Sequence, residues 1–394
     1  EILRCLVGSE MCIRDRYGGV EKMTITLSNS LVKIGYNVCI LSLFKGNKCE
    51  YMSRLDSKVV CLNMPNEKLF SRENRRHFLL VLQENEIDVI INQNMDYEVN
   101  KLMLKLKGNV QGNGKYFPAF ITVVHNDPFV DFKCLDTMIK GRGVKNVLKR
   151  MLKPIYQVYI HNVVRRSYIM ASLVSDKMVV LSKSYVSSCA ELSRCEYEKI
   201  IAIPNGFNVD DKVDGLFLNR KKLLYVGRLV ETQKKISELI NIWKYLCEEF
   251  LDWDLLIVGD GPDVGIYKSL VKSENIKNVY FEGSTNSPEY YFNQSTVVCL
   301  TSESEGFPMV LIEGMKYGCI PICYDSFSAV DDIIDDGVNG YVIPFNKQNE
   351  YICKLRYLMS LDDTSLCYMR NNAIKKSELY LSLIHISEPT RHLR

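Results

Sequence analysis

No run of about eighteen uninterrupted apolar residues occurs in this sequence, which argues against a membrane-spanning helix. No CxxC pair occurs among its fourteen cysteines, several lie inside apolar runs such as VVCLTS, and no secretory signal precedes them. The expectation is reduced thiols in a cytoplasmic protein. Charge of one sign is lacking too: 50 Lys and Arg against 47 Asp and Glu leave a formal +3, which argues against a nucleic-acid partner. Any basic surface must be local. No His/Cys cluster has ligand spacing, and Asp252 and Asp254 in DWD stand before a strand, so neither a metal nor another cofactor is expected. Tandem repeats and low-complexity segments are also missing.

What is present is the balance of a globular protein, 47% hydrophobic and 25% charged, in a chain of 394 residues that suits two domains better than one. Short β-rich runs alternate with segments of helical length throughout. The first half reads as strands at VCILSL, VVCLNM, DVIINQ, AFITVVHN and KMVVLS; the second as strands at KLLYVGR, DLLIVGD, VYFEG, VVCLTS and CIPICYD. This is the pattern of α/β architecture, with two successive doubly wound parallel sheets. Pro204, Asn205 and Gly206 in IAIPNGFN make a turn after a strand and set the boundary. Ligands of such sheets bind beyond the carboxyl ends of the strands, so two facing domains imply a cleft.

The two ends carry a different signal. Leu6–Arg16, LVGSEMCIRDR, can be encoded by DNA whose reverse complement translates as LSLIHISEPT followed by Arg, the residues Leu381–Arg391. The pair resembles a sequencing-library adapter translated at both ends of a DNA fragment. The expectation is therefore that 1–16 and 381–394 are non-native, with a first domain over 17–204 whose first strand is missing or replaced, and a second over 205–380. The alternative is a real strand in EILRCLV.

The chemistry gathers downstream. TSESEGFPMVLIEGMKYG parses as strand, turn and helix, with Pro308 suited to the first helical turn and Gly318 to the exit. Backbone N–H groups near Gly306 and Phe307, with a helix dipole behind them, form a ready site for phosphate. Glu305 stands in the turn and Glu313 about 12 Å along the helix at 1.5 Å per residue. Such a pair could accept hydrogen bonds from hydroxyls at the two ends of a ligand. YVGRLVETQKK places Arg228 at a strand end, six residues before Lys234, where two cations beside a helix terminus could hold a diphosphate without a metal. His125 ends another strand, with Asn126 and Asp127 beside it. Gly259 and Asp260 in LIVGDGP form a strand-end turn that lacks the full dinucleotide fingerprint. From Lys140 to Arg166 the chain holds eight Lys or Arg and no acid, interleaved with apolar residues, a composition suited to an anionic membrane surface; Pro154 would divide it into two helices.

SESEGFPMVLIEGMKYGCIPI resembles the E-x7-E region of GT-B-fold retaining glycosyltransferases of family 4, and the likeness runs from YGGVEK near Tyr17 to DDGVNGYVIPF near Phe345. The resemblance implies two Rossmann-like domains, acceptor-side first and nucleotide-sugar-binding second, and transfer of a sugar from a nucleoside diphosphate with retention of configuration. It places His125 and Glu305 on the donor sugar, Arg228 and Lys234 on the diphosphate, and Glu313 on the ribose. Family members often have Lys-Gly where this chain has Lys234-Lys235, so Lys235 is a reserve candidate. Gly18 and Gly19 would let backbone approach the ligand, and Gly259, Asp260 and Gly283 would lie near the nucleotide. Asn126 is a candidate acceptor contact, and Lys145, Lys149, Arg150 and Lys153 would face the acceptor or an anionic membrane. The implied partners are a nucleotide-sugar donor and a glycan or lipid-linked acceptor, in bacterial surface-polysaccharide or glycolipid synthesis on the inner face of the cell membrane. A sugar-nucleotide epimerase of the same architecture and a non-catalytic truncated fragment are the rival readings.

Overall fold

The computed structural model describes residues 4–9 (main chain only), 19–42, 53–93, 95–114, 116–129, 153–207 and 220–380. Gly18, Lys145, Lys149, Arg150 and the segments 10–16 and 381–394 lie outside them. The chain divides into two compact units, one holding the described residues up to 207 and the other those from 220.

In the first unit the strands are β1 (Arg4–Ser9), β2 (Asn37–Ser42), β3 (Val60–Asn63), β4 (Val89–Asn92), β5 (Ala119–Val124), β6 (Lys177–Val180) and β7 (Ile200–Ala202). The helices are α1 (Gly19–Lys33), α2 (Arg72–Glu84), α3 (Tyr97–Gly112), α4 (Lys153–Val174) and α5 (Tyr185–Ser193). All strands pair in parallel in the order β3-β2-β1-β4-β5-β6-β7, which reverses direction between β1 and β4. The strand whose existence the sequence left open is thus β1, at the turning point of the sheet, where Arg4 pairs with Asn37 and Cys5 with Val89. A parallel ladder is built from main-chain N–H and C=O groups, so extended backbone of this length meets its geometric demand.

The helices of this unit start where the sequence provides caps. The Ser71 side chain accepts from the Asn74 N–H ahead of α2, and Asp96 accepts from Glu98 and Val99 ahead of α3. Their inward faces, Phe78, Val81 and Leu82 on α2 and Val99, Leu102, Met103 and Leu106 on α3, close over Cys39, Leu41, Ile90 and Phe120 of the sheet. Pro154 stands in the first turn of α4, where a missing N–H is tolerated; the part of the basic segment before Lys153, and with it the expected division into two helices, lies outside the described residues.

The second unit repeats the plan with β8 (Lys222–Val226), β9 (Asp254–Val258), β10 (Val279–Gly283), β11 (Val297–Leu300), β12 (Ile320–Asp325) and β13 (Tyr341–Pro344). Its helices are α6 (Glu231–Lys234), α7 (Ile236–Lys244), α8 (Val264–Ser273), α9 (Pro288–Asn293), α10 (Met309–Lys316), α11 (Val330–Ile333), α12 (Gln348–Ser360) and α13 (Asp363–Glu378). The parallel order is β10-β9-β8-β11-β12-β13, reversing between β8 and β11. The inner strands β11 and β12 are near-continuously buried, as a sheet covered by helices on each side requires. Two large side chains of this core pair their polar atoms with main-chain carbonyls: Trp243 Nε1 donates to that of Lys277 at 2.9 Å and Tyr351 OH to that of Ile322 at 2.9 Å. Arg370, 4% exposed, closes two helix ends by donating to the carbonyls of Gly318 and Ser295. Among the described residues no helix is long and apolar enough to cross a membrane.

Candidate functional site

A doubly wound sheet leaves a crevice beyond the carboxyl ends of the two strands at which its order reverses. In the second unit these are β8 and β11, and the segments that follow them are GRLVETQKK and TSESEGFP. Arg228, Lys234 and Glu305 therefore lie by topology on the strand-end segments that border this crevice, and two of the side chains are in contact. Lys234 Nζ lies 2.6 Å from Glu305 Oε1, with the two side chains 18% and 8% exposed.

A second ion pair runs beside the first: Lys235 Nζ lies 3.0 Å from Glu303 Oε2. Two consecutive lysines thus meet two glutamates spaced by one residue on the irregular segment after β11. Further bonds fasten the strand-end segment to α6. Glu303 N–H donates to the Gln233 carbonyl at 2.7 Å, Gln233 Nε2 to the Ser304 carbonyl at 3.3 Å, and Thr301 Oγ1 to the Lys235 carbonyl at 3.0 Å. Lys235 has φ 51°, the left-handed backbone that glycine adopts without cost. Lys235 is thus the left-handed residue of the pair, and Lys234 is the lysine on Glu305.

The Arg228 loop is held by its main chain while its side chain is exposed. Tyr225, fully buried, donates its hydroxyl to the Arg228 carbonyl at 3.0 Å; burial, and then the Glu305 carboxylate, push its ionisation well above the ordinary phenol range. The Tyr225 hydroxyl therefore keeps the proton it donates. Next to this loop runs the turn after β9. A Cβ at Gly259, whose φ is 144°, would stand 1.9 Å from the Gly227 carbonyl oxygen, and one at Gly261 would stand 2.2 Å from that of Leu229. Leu229 N–H donates to the Asp260 carbonyl at 2.9 Å, so the two loops touch backbone to backbone. Gly283 is exposed at the end of β10 with φ 75°, and its carbonyl accepts from Gly259 N–H at 2.7 Å.

Helix α10 opens one residue after Pro308, which sits just outside its first turn, and Gly318 exits it at φ 74° as expected. Gly306 is half-buried, and Phe307 is buried with its ring 5.8 Å from that of Tyr380. Glu313 is half-buried on α10, eight positions from Glu305. The structure thus brings Lys234 and Glu305 into contact, puts Arg228 on the adjoining strand-end loop and carries Glu313 on the helix that follows. No group of His, Cys, Asp and Glu able to hold a metal ion occurs among the described residues.

In the first unit His125 stands one residue past β5, half-buried, with Nε2 2.5 Å from Gln93 Oε1. Burial pushes the imidazole down to about 4, so at neutral pH it is uncharged. Gln93, itself buried just past β4, is a partner that sequence reasoning missed, because a single Gln after a strand carries no motif. Asn126 is exposed, whereas Asp127 is buried and accepts from Phe129 N–H at 2.9 Å, a structural turn. Gly19 is the first residue of α1, with open space where a Cβ would stand. Lys153 opens α4.

Residues 207–377 match the family described as Glycosyl transferases group 1. Across more of the chain, it is 26% identical over 344 residues to an uncharacterized glycosyltransferase of Haemophilus influenzae, covering 87% of each protein. It is 31% identical over 207 residues to the amylovoran biosynthesis glycosyltransferase AmsD of Erwinia amylovora, covering 50% of this chain and 56% of that one. Among solved structures, Anabaena HepE in complex with UDP-glucose superposes with a TM-score of 0.72 at 13% identity, over 99% of both chains.

Proposed function

From the premise that residues 207–377 are a group 1 glycosyl transferase domain within a GT-B fold, we propose that the chain is a retaining hexosyltransferase of family 4 type. It takes a sugar from a nucleoside diphosphate and passes it to a glycan or lipid-linked acceptor in bacterial surface-polysaccharide or glycolipid synthesis. The observation that carries this reading is the Lys234–Glu305 contact at the reversal point of the second sheet. Related proteins named for amylovoran biosynthesis and for a UDP-glucose complex support the substrate classes.

Each residue then has a task that its chemistry suits. The Lys234 ammonium has three donors and gives one to Glu305. Turned to a diphosphate, the others, together with the Arg228 guanidinium, offset the negative charge that grows on the leaving group, and no metal is required. Glu305, an acceptor only, takes hydrogen bonds from sugar hydroxyls, and Glu313 from the ribose. Neutral His125, oriented by Gln93, contacts the transferred sugar without adding charge near the reacting carbon. The bond from the anomeric carbon to the β-phosphate oxygen breaks, the acceptor oxygen bonds to the same face of that carbon, and the acceptor proton passes to the departing phosphate.

Incubation with a panel of UDP- and GDP-sugars and candidate acceptors, read by proton NMR, tests the reading. Nucleoside diphosphate release with an α-linked product from an α-linked donor is expected. An inverted product, or donor converted to its epimer without acceptor, would remove it.

A further inference from the structure

Helix α4 is 22 residues long, about 33 Å at 1.5 Å per residue, whereas the strand it leads into, β6, has four residues and spans about 13 Å. The excess is not distributed evenly. The buried residues of α4, Tyr168, Ala171, Ser172 and Val174, all fall in its last two turns, where the helix packs against α3 and α5. At its other end, residues 154–159 are all exposed. Since α4 runs back from the amino end of β6 in a parallel crossover, this overhanging half projects toward the carboxyl edge of the sheet, where His125 and Gln93 stand.

A helix half in water should be polar, and this one is not. Ile155 is 68% exposed, Val158 63% and Tyr159 61%, with Tyr156 and Val163 nearly half exposed. At about 100° per residue, Ile155, Tyr156, Tyr159 and Val163 fall within one arc of about 100°. The rings of Tyr156 and Tyr159 stack at 6.1 Å, and Arg166 continues the same arc one turn on. The whole helix carries Lys153, Arg165 and Arg166 and not a single Asp or Glu.

We propose that the amino-terminal half of α4 is a docking surface for an anionic lipid bilayer, entering the interface with Ile155, Tyr159 and Val163 and holding headgroup phosphates with Lys153, Arg165 and Arg166. Tyrosines on an apolar stripe suit the headgroup boundary, with ring inside and hydroxyl in water. The uniform sign of the charge selects an anionic surface over a neutral one, and each cation near it raises partitioning about fivefold, the equivalent of about 1 kcal/mol. The surface does not depend on the transferase reading, because binding is measured with no donor present.

The test is flotation of the full chain with vesicles of phosphatidylcholine alone or mixed with phosphatidylglycerol. The wild-type chain is expected to float with the mixed vesicles at low salt and not with phosphatidylcholine alone. Combined Arg165→Gln and Arg166→Gln should weaken binding about 25-fold, and combined Ile155→Gln, Tyr159→Gln and Val163→Gln should abolish it. Tyr197→Gln, which removes a side chain exposed elsewhere in the same unit, should change nothing. Arg165 is half-buried and the other substituted side chains are exposed, so the variants should keep the wild-type melting curve, which is recorded alongside. No flotation of the wild-type chain, or equal flotation of the triple variant, overturns the proposal. So does a dimer, seen by light scattering, that the triple variant dissolves, since the stripe would then be an interface between copies.

Discussion

Replacing Lys234 by Ala removes the partner of a carboxylate that is 8% exposed, and its consequence can be worked out from the surroundings. Breaking a buried ion pair from one side costs about 3–5 kcal/mol, because the remaining charge has lost its compensation. Lys234 is 18% exposed, so water reaches part of the vacated space, and the expected loss is about 2–3 kcal/mol. In a unit of this size each kcal/mol lowers Tm by about 2–4 °C, so the variant should melt about 4–12 °C below wild type by scanning fluorimetry. Removing both charges, Lys234→Met with Glu305→Gln, should restore more than half of that, a coupling of about 1–2 kcal/mol. Lys221→Ala is the control. It breaks an exposed pair with Asp252 at the opposite end of β8 and should cost less than about 1 kcal/mol. If the two single losses simply add, with no recovery in the double variant, the contact does not operate as an ion pair and the reasoning fails.

Gly259→Ala should destabilise by about 3 kcal/mol or more, since its Cβ would enter the Gly227 carbonyl oxygen at a left-handed φ, whereas Gly265→Ala, in open space on α8, should be neutral or up to about 1 kcal/mol stabilising; chemical denaturation of the two compares them. Lys235→Gly relieves left-handed backbone but strands Glu303, so alone it should cost about 1–2 kcal/mol, and with Glu303→Gln the chain should be at least as stable as wild type. For His125 the folded state holds the imidazole at about 4 against the ordinary 6.5. The unfolded chain therefore takes up the proton first, and stability should fall as pH drops from 6.5 to 4, by up to about 3 kcal/mol, and level off below. A titration midpoint near 6.5 in proton NMR would show that the ring is not desolvated.

The sheets were legible because their strands are continuous apolar runs between turns, and the ends of β8 and β11 delivered Lys234 and Glu305, which meet in the second unit. Glu305 and Lys234 could be named from spacing because topology alone brings the ends of β8 and β11 together. What stayed hidden depends on contact at a distance in the chain. Gln93 and His125 are on different strands and share no motif. The pairing of Lys235 with Glu303 rests on a left-handed residue that a Lys-Lys dipeptide does not advertise. Gly259 looked like a ligand-facing glycine, and the structure adds that it and Gly261 each leave room for the carbonyl of a neighbouring loop. The strand β13 passed unread because GYVIPF is short and ends in Pro, and β1 stayed only an alternative because its sequence matched the antisense of the other terminus.

The proposed transfer needs a diphosphate site beside Lys234 and Arg228. Calorimetric titration of the folded chain with UDP and with GDP tests it most directly. One of the two should bind to the wild-type chain and to Lys221→Ala alike, and at least tenfold more weakly to Lys234→Ala. Equal affinity of Lys234→Ala and wild type, or no binding of either nucleotide to the folded chain, would contradict it.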